Sequence, residues 1–116
     1  MKLGKHQEAF MDDITALLVE GHRLGYKCRG KELLRTPEMQ AIHVKTGASK
    51  TMNSMHLKGC AIDLYWFDEA GKLVFPPELG KFWESLSVEN RYGGNFDKDW
   101  GKEDNFKDAP HYERKC

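Results

Sequence analysis

The spacing of apolar and polar residues along the first half of the chain predicts two helices and a strand. The first helix carries its apolar side chains at helical spacing: Phe10, Ile14, Leu17 and Leu18. Gly21 and Gly25 stand where this helix should end, and a short strand is expected over residues 26–29. Thr36-Pro37-Glu38 combines an N-cap residue, a proline at the first helical position and an acid in the first turn. This second helix should run to about Thr46 and stop at Gly47.

The second half of the chain has the pattern of short strands with one further helix. Cys60–Phe67 is the most apolar strand candidate, and a turn at 68–71 leads into Leu73–Phe75 as a hairpin. Pro76-Pro77 opens a third helix with one apolar face, made of Leu79, Phe82, Trp83 and Leu86. A short strand with a bend is expected at 91–94 and a last strand at 111–113. Together these elements predict an α+β fold, with a small antiparallel sheet flanked by about three helices.

Length and charge narrow the class of protein. A chain of 116 residues predicts a single domain, 1–116. Eighteen basic residues balance eighteen acidic ones, which argues against a nucleic-acid partner. No apolar run is long enough for a membrane span, and the N-terminus lacks the apolar stretch of a signal peptide. Cys28, Cys60 and Cys116 are expected to be free thiols of a reducing compartment, with one disulfide and a leftover thiol as the alternative.

One residue in the predicted strand 60–67 is chemically out of place. Asp63 stands among Ile62, Leu64 and other apolar residues, where a buried lone carboxylate would be costly. His56 lies seven residues earlier, across a loop that contains Gly59 and that could fold the imidazole back beside the carboxylate. A cation bound by both side chains would explain the buried acid. The plainer alternative is a salt bridge from Asp63 to Arg29 or Arg35.

A catalytic zinc ion usually takes a third protein ligand and leaves a fourth position for water. His6 and His22 flank an ordinary amphipathic helix and are expected at the surface, and His43 is expected to be partly buried and structural. The remaining histidine, His111, follows Pro110 and has acids close by on both sides.

Those neighbouring acids complete a chemical set. Zinc lowers the pKa of a bound water towards about 7, and Asp108, three residues before His111, is placed to take the proton. Glu113 would share a strand face with His111 and could orient its imidazole. The alternative for Asp108 is a turn or cap residue before Pro110.

Four segments together resemble the D-Ala-D-Ala metallopeptidases, a family that includes VanY-like carboxypeptidases and phage L-alanyl-D-glutamate endolysins. Ser54–Asp63 matches the pattern S-x-H-x-x-G-x-A-x-D, and Asp108–Glu113 is similar to the second motif of the family. Arg35–Gln40 resembles the R-S/T-x-x-x-Q segment, and Gly93–Phe96 resembles a Gly-Gly-x-aromatic element. The matches follow the family order over residues 35–113.

The resemblance implies a hedgehog/DD-peptidase-like fold and a function for each matched residue. It implies that one catalytic Zn²⁺ is held by His56, Asp63 and His111, with Asp108 as general base. Arg35 would stabilise the oxyanion of the scissile carbonyl. Ser54 and Gln40 would contact the substrate. A salt bridge at the start of the second helix is the alternative for Arg35, and a loop-bracing hydroxyl is the alternative for Ser54.

The function that the resemblance implies is that of a phage endolysin cutting the L-Ala–D-Glu bond of the peptidoglycan stem peptide. Such a protein would be a monomer with no separate wall-binding domain, made in the host cytoplasm and released to the wall through a separate pore. A D-Ala-D-Ala carboxypeptidase or dipeptidase is the first alternative. A non-catalytic wall-binding module on the same fold is the second.

One segment departs from the family pattern. Residues 97–104 are an acidic insertion between the Gly-Gly element and the second motif. A solvated loop is the default for 97–108. Bound Ca²⁺ is a weaker alternative, because the glycine does not fall where an EF-hand loop needs it. Trp100 could be a substrate platform or a lid over the core.

Overall fold

The computed structural model describes residues 1–31, 37–46, 55–95 and 109–116, and in these ranges the chain forms three helices and five strands. The helices are α1 (Leu3–Arg23), α2 (Pro37–Lys45) and α3 (Pro77–Leu86). The strands are β1 (Lys27–Lys31), β2 (Ala61–Phe67), β3 (Leu73–Val74), β4 (Asn90–Tyr92) and β5 (His111–Arg114). Single 3-10 turns cover Met55–Lys58 and Gly93–Asn95. The predicted α+β class is confirmed.

All strand pairs in the described sheet are antiparallel, with β2 at the centre. One edge of β2 pairs with β1, with Asp63 opposite Lys31 and Phe67 opposite Lys27. The other edge pairs with β5 at Ala61–Asp63 and with β3 at Trp66 and Phe67. Strand β4 then pairs with the free edge of β5. Strand β2 is therefore the central strand, with β1 on one edge and both β3 and β5 on the other.

The two faces of the sheet have different chemistry. One face packs on α1 and α3 and forms the apolar core, whose largest buried side chains are Phe10, Leu17, Leu64, Trp66, Leu79, Trp83 and Tyr112. The predicted apolar face of α3 lies in this core or packs against it. Since successive side chains of a strand point to opposite faces, Asp63 on β2 and both His111 and Glu113 on β5 lie on the face away from the core.

Helix α1 ends in a Schellman motif, and this settles which of the two predicted glycines stops it. Gly25 has a φ of 94°, its N–H donates to the carbonyl of His22, and the N–H of Tyr26 donates to the carbonyl of Gly21. Gly21 itself lies inside the helix, so its prediction as the helix end is wrong. Its role is close packing, because a Cβ at this position would meet the ring of Trp66.

Other element limits differ from the predictions by a few residues. The first strand is Lys27–Lys31, and the last strand extends to Arg114. The predicted helix stop at Gly47 and the acidic loop 97–108 lie outside the described residues. Within the described ranges, no helix combines the length and the hydropathy that crossing a lipid bilayer requires.

The three cysteines are free thiols. Burial raises the pKa of the Cys28 thiol to about 11. Burial, together with a hydrogen bond to Cys116, raises the pKa of the Cys60 thiol to about 12. Both effects favour the neutral thiol, so these two cysteines are poor nucleophiles in the folded chain.

Gly21→Ala is expected to lower the free energy of unfolding by about 1–3 kcal/mol, because the added methyl collides with the fully buried Trp66 ring. This loss outweighs the gain in helix propensity of about 1 kcal/mol. Urea unfolding measures the change. Gly4→Ala is the matched control on the same helix, since a Cβ there meets nothing within 4 Å. It should leave stability unchanged or raise it, and equal effects of both substitutions would contradict the packing argument.

Candidate metal centre

Two strands bring the two halves of the candidate site together. Asp63 of β2 stands directly opposite His111 of β5 in the antiparallel register. The pairing continues beyond the last register pair, where the N–H of Leu64 donates to the carbonyl of Pro110 at 2.7 Å. Both side chains lie on the sheet face away from the core and are mostly buried. A rigid strand pair thus presents one carboxylate and one imidazole to the same point.

A short turn delivers the second imidazole. The 3-10 turn Met55–Lys58 is followed by Gly59 at a φ of 68°, and the N–H of Cys60 donates to the carbonyl of Met55. This reversal folds His56 back over the start of β2, where it is only 2% exposed. Gln7 of α1 ties the turn to the body of the protein, since its side-chain amide donates to the carbonyl of Lys58 at 2.8 Å.

The three donor atoms form a nearly equilateral triangle. His56 Nε2 lies 3.2 Å from His111 Nδ1 and 3.5 Å from Asp63 Oδ1, and His111 Nδ1 lies 3.4 Å from Asp63 Oδ1. A tetrahedral ion with ligands at about 2.0–2.1 Å holds its donor atoms about 3.4 Å apart. The cluster therefore has the spacing and the ligand types of a three-residue metal site.

The state of Asp63 is the second sign of a cation site. Burial opposes ionisation of this carboxyl, but the contacts with His111 and His56 outweigh that cost and hold its pKa well below the usual range. Both imidazole nitrogens lie within 3.5 Å of Asp63 Oδ1, yet this buried oxygen has no hydrogen bond of good geometry among the described residues. A buried carboxylate oxygen without a hydrogen bond is costly, and a bound cation would satisfy it.

Glu113 holds the His111 ring from behind. Its Oε1 lies 2.7 Å from His111 Nε2, and its Oε2 lies 3.5 Å from Arg91 Nη1. An ionised carboxylate only accepts hydrogen bonds, so Nε2 of His111 donates to Glu113, and in a metal-bound centre this would leave the Nδ1 lone pair for the ion. The contact that the sequence predicted between Glu113 and His111 is thus present. Arg91 was not predicted, because its approach depends on the pairing of β4 with β5.

The other predicted site residues divide into two groups. Arg35, Ser54 and Asp108 lie outside the described residues, as do the candidate Ca²⁺ ligands of 97–108 and Trp100. Gln40 and His43 lie on α2, but their side chains are outside the description. Their predicted roles therefore stay predictions.

The structure places His6 and His22 away from the metal cluster. His22 is exposed, and His6 accepts a hydrogen bond from Arg114 away from the cluster. The alternative salt bridge from Asp63 to Arg29 is wrong, because the Arg29 guanidinium lies over the Phe67 ring instead. The other alternative, a salt bridge to Arg35, lies outside the described residues and stays a prediction.

Comparisons with known proteins identify the fold. No protein-family model and no curated protein sequence matches this chain. Among solved structures, the chain is similar to the L-Ala D-Glu endopeptidase ChiX of Serratia marcescens, with a TM-score of 0.62 and 20% sequence identity. The similarity covers 98% of this chain and 86% of that one. At this identity the comparison establishes a shared fold.

His56→Ala is expected to abolish tight metal binding, because it removes one of the three converging donors. After loading with zinc as the test metal and dialysis against metal-free buffer, the unsubstituted protein should retain about one zinc ion per chain and the variant about a tenth of that or less. Inductively coupled plasma mass spectrometry measures the content. His22→Ala, an exposed histidine on α1, is the matched control. Full zinc content in His56→Ala would contradict the site.

Glu113→Gln is expected to weaken zinc binding by about 10- to 100-fold without abolishing it, because the charged acceptor behind His111 is lost while all three donors remain. Competition with a fluorescent chelator gives the dissociation constant. Glu8→Gln removes an exposed carboxylate on α1 and should leave the constant unchanged. An unchanged constant in Glu113→Gln would mean that the backbone alone orients His111.

Proposed function

We propose that this protein is a metal-dependent peptidase that hydrolyses the L-Ala–D-Glu bond of the peptidoglycan stem peptide. The observation that carries the proposal is the convergence of His56, Asp63 and His111 on one sheet face. The fold that presents this face is shared with an L-Ala D-Glu endopeptidase, and the motifs in this chain match peptidases of the cell wall.

Zinc is the metal that we propose for the centre. Two imidazoles and one carboxylate with a position left open are the ligand set of a catalytic zinc site. When bound, such an ion activates water and polarises a carbonyl as a Lewis acid. The chain contributes the buried carboxylate of Asp63 and an orienting contact from Glu113 to His111.

The acid–base and oxyanion roles rest on sequence motifs. We propose Asp108 as the general base, because it immediately precedes the Ala109-Pro110 turn that leads into His111. The anchoring of the Pro110 carbonyl by Leu64 keeps that turn next to the centre of the sheet. Arg35 would stabilise the developing oxyanion, and Ser54 and Gln40 would contact the peptide.

We further propose that the protein acts as a monomeric, single-domain endolysin of a phage. It would accumulate in the host cytoplasm and reach the wall after a separate pore opens. Two features support this assignment: the small size of the chain, and an aspartate at position 108, which is more typical of the phage endolysin branch than of other relatives.

A digest of defined muropeptides by the zinc-loaded protein tests the function. Mass spectrometry should find products that end in L-Ala and begin with D-Glu, and a chelator should abolish them. Asp108→Ala should lower kcat by about 10²–10⁴-fold, since a general base contributes that much. His22→Ala is the control and should keep full activity.

Other products would overturn the assignment in distinguishable ways. Release of terminal D-Ala would identify a carboxypeptidase that uses the same centre. No cleavage by folded, zinc-loaded protein would favour a wall-binding module. Full activity of Asp108→Ala would leave the bond assignment intact and disprove the assigned base.

A further inference from the structure

The sheet face that carries the metal centre continues into a patch of aromatic and basic side chains. Tyr65 and Phe67 follow Asp63 at alternate positions of β2 and so lie on the same face. Arg29 of β1 stands opposite Tyr65 in the register. Phe75 packs against Tyr65, with ring centroids 6.5 Å apart. These four residues, Arg29, Tyr65, Phe67 and Phe75, are called the Arg29 surface below.

The guanidinium in this surface is held in place and is available to an anion. Arg29 Cζ lies 4.3 Å from the centroid of the Phe67 ring, so the ring supports one face of the planar group. Stacking of this kind leaves the N–H groups at the edge able to bind a carboxylate in bidentate fashion. Among the described residues, no carboxylate lies within ion-pair distance of Arg29. Lys27, exposed on the same strand, adds a second positive charge.

The length of the surface matches a short acidic peptide. From Asp63 to Phe67 the strand rises over about 13 Å, because each residue adds about 3.3 Å. Three extended residues that follow a scissile bond reach about 10–11 Å. In a stem peptide cut after L-Ala, the part beyond the scissile bond carries the free carboxylates. The Arg29 guanidinium is therefore opposite in charge to the C-terminal carboxylate of this part of the peptide, and it lies at a distance from the metal centre that three extended residues can span.

We propose that the Arg29 surface binds the part of the stem peptide beyond the scissile bond and that the Arg29 guanidinium receives its C-terminal carboxylate. The proposal rests on the proposed function and deepens it, since it makes a peptide with a free C-terminus the preferred substrate. Arg29 is a binding residue here, remote from the reacting atoms. It stabilises the bound substrate and the transition state equally, so its loss raises KM and leaves kcat nearly unchanged.

The test compares two synthetic substrates, L-Ala-γ-D-Glu-L-Lys-D-Ala with a free C-terminus and the same peptide as its C-terminal amide. The unsubstituted protein should cleave the free acid about tenfold more efficiently, chiefly through KM, as one charge-assisted contact at an exposed site predicts. Arg29→Ala should lose that preference and cleave both peptides like the amide. Arg29→Lys keeps the charge without the planar fork and should retain part of the preference.

Arg23→Ala is the matched control, because it removes an exposed arginine of α1 on the other side of the sheet. It should keep the full preference for the free acid. An Arg29→Ala protein that still prefers the free acid by the unsubstituted ratio overturns the proposal while cleavage itself upholds the proposed function. Absence of cleavage by the unsubstituted protein, or release of D-Ala, overturns both.

One further substrate pair decides whether sugar occupies the surface instead. A muropeptide that carries its disaccharide is compared with the free peptide in Phe67→Leu, which removes the ring beneath Arg29. The proposal expects the same loss on both substrates. A loss confined to the substrate with the disaccharide would overturn it, because the aromatic rings would then be a sugar platform.

Discussion

The antiparallel register that sets Asp63 opposite His111 is the constraint on which the rest of the site depends. Side chains alternate between the two faces of a strand, so a slip of one residue would exchange the faces of every residue in β5. His111 and Glu113 would then enter the apolar core, and Tyr112 would take their place at the centre. Burying these polar groups and exposing Tyr112 would cost free energy, so the packing of the core stabilises the observed register.

The core enforces this register through hydrogen bonds as well as packing. Tyr112 lies between the two site residues of β5 but points to the other face, where its hydroxyl accepts a hydrogen bond from Trp66 Nε1 at 3.1 Å. Trp83 of α3 donates from its indole nitrogen to the backbone carbonyls of Arg91 and Glu113. The strands that hold the centre are thus pinned from behind by buried aromatic side chains. A site built on such elements is held more precisely than a site on loops.

Groups of opposite charge follow one another from the metal centre through Glu113 to Arg91. The donor cluster calls for a cation, His111 links it to the carboxylate of Glu113, and Arg91 approaches that carboxylate from the rim. On the other side of the centre, the same face carries the rings of Tyr65, Phe67 and Phe75. Arg29 of the neighbouring strand β1 lies over the Phe67 ring. The same sheet face therefore combines a site suited to a metal with a flanking strip suited to a peptide. Both parts lie on one face because Asp63, Tyr65 and Phe67 occupy alternate positions of β2.

Much of the fold and part of the site could be predicted from local sequence. Helical spacing, helix-start residues and turn residues located the elements to within a few residues, because these signals act over one or two turns of chain. The buried acid at Asp63 and the glycine turn after His56 are also local, and they were enough to suggest a two-residue metal site. The acids next to His111 made it the candidate third ligand and Asp108 the candidate base, and the motif resemblance implied the same roles. The predicted roles of Arg35, Ser54 and Gln40 came from the resemblance alone.

Contacts between distant segments could not be predicted from the sequence, because they depend on how the helices pack on the sheet and how the strands pair. Gly21 reads as a helix stop but packs against Trp66, because the approach of α1 to the sheet is a tertiary event. Arg91 reaches Glu113, and Arg29 stacks on Phe67 instead of pairing with Asp63, only through the registers of β4 with β5 and of β1 with β2. Local sequence determines the conformation of a segment, but the register between distant strands depends on which faces the assembled core buries.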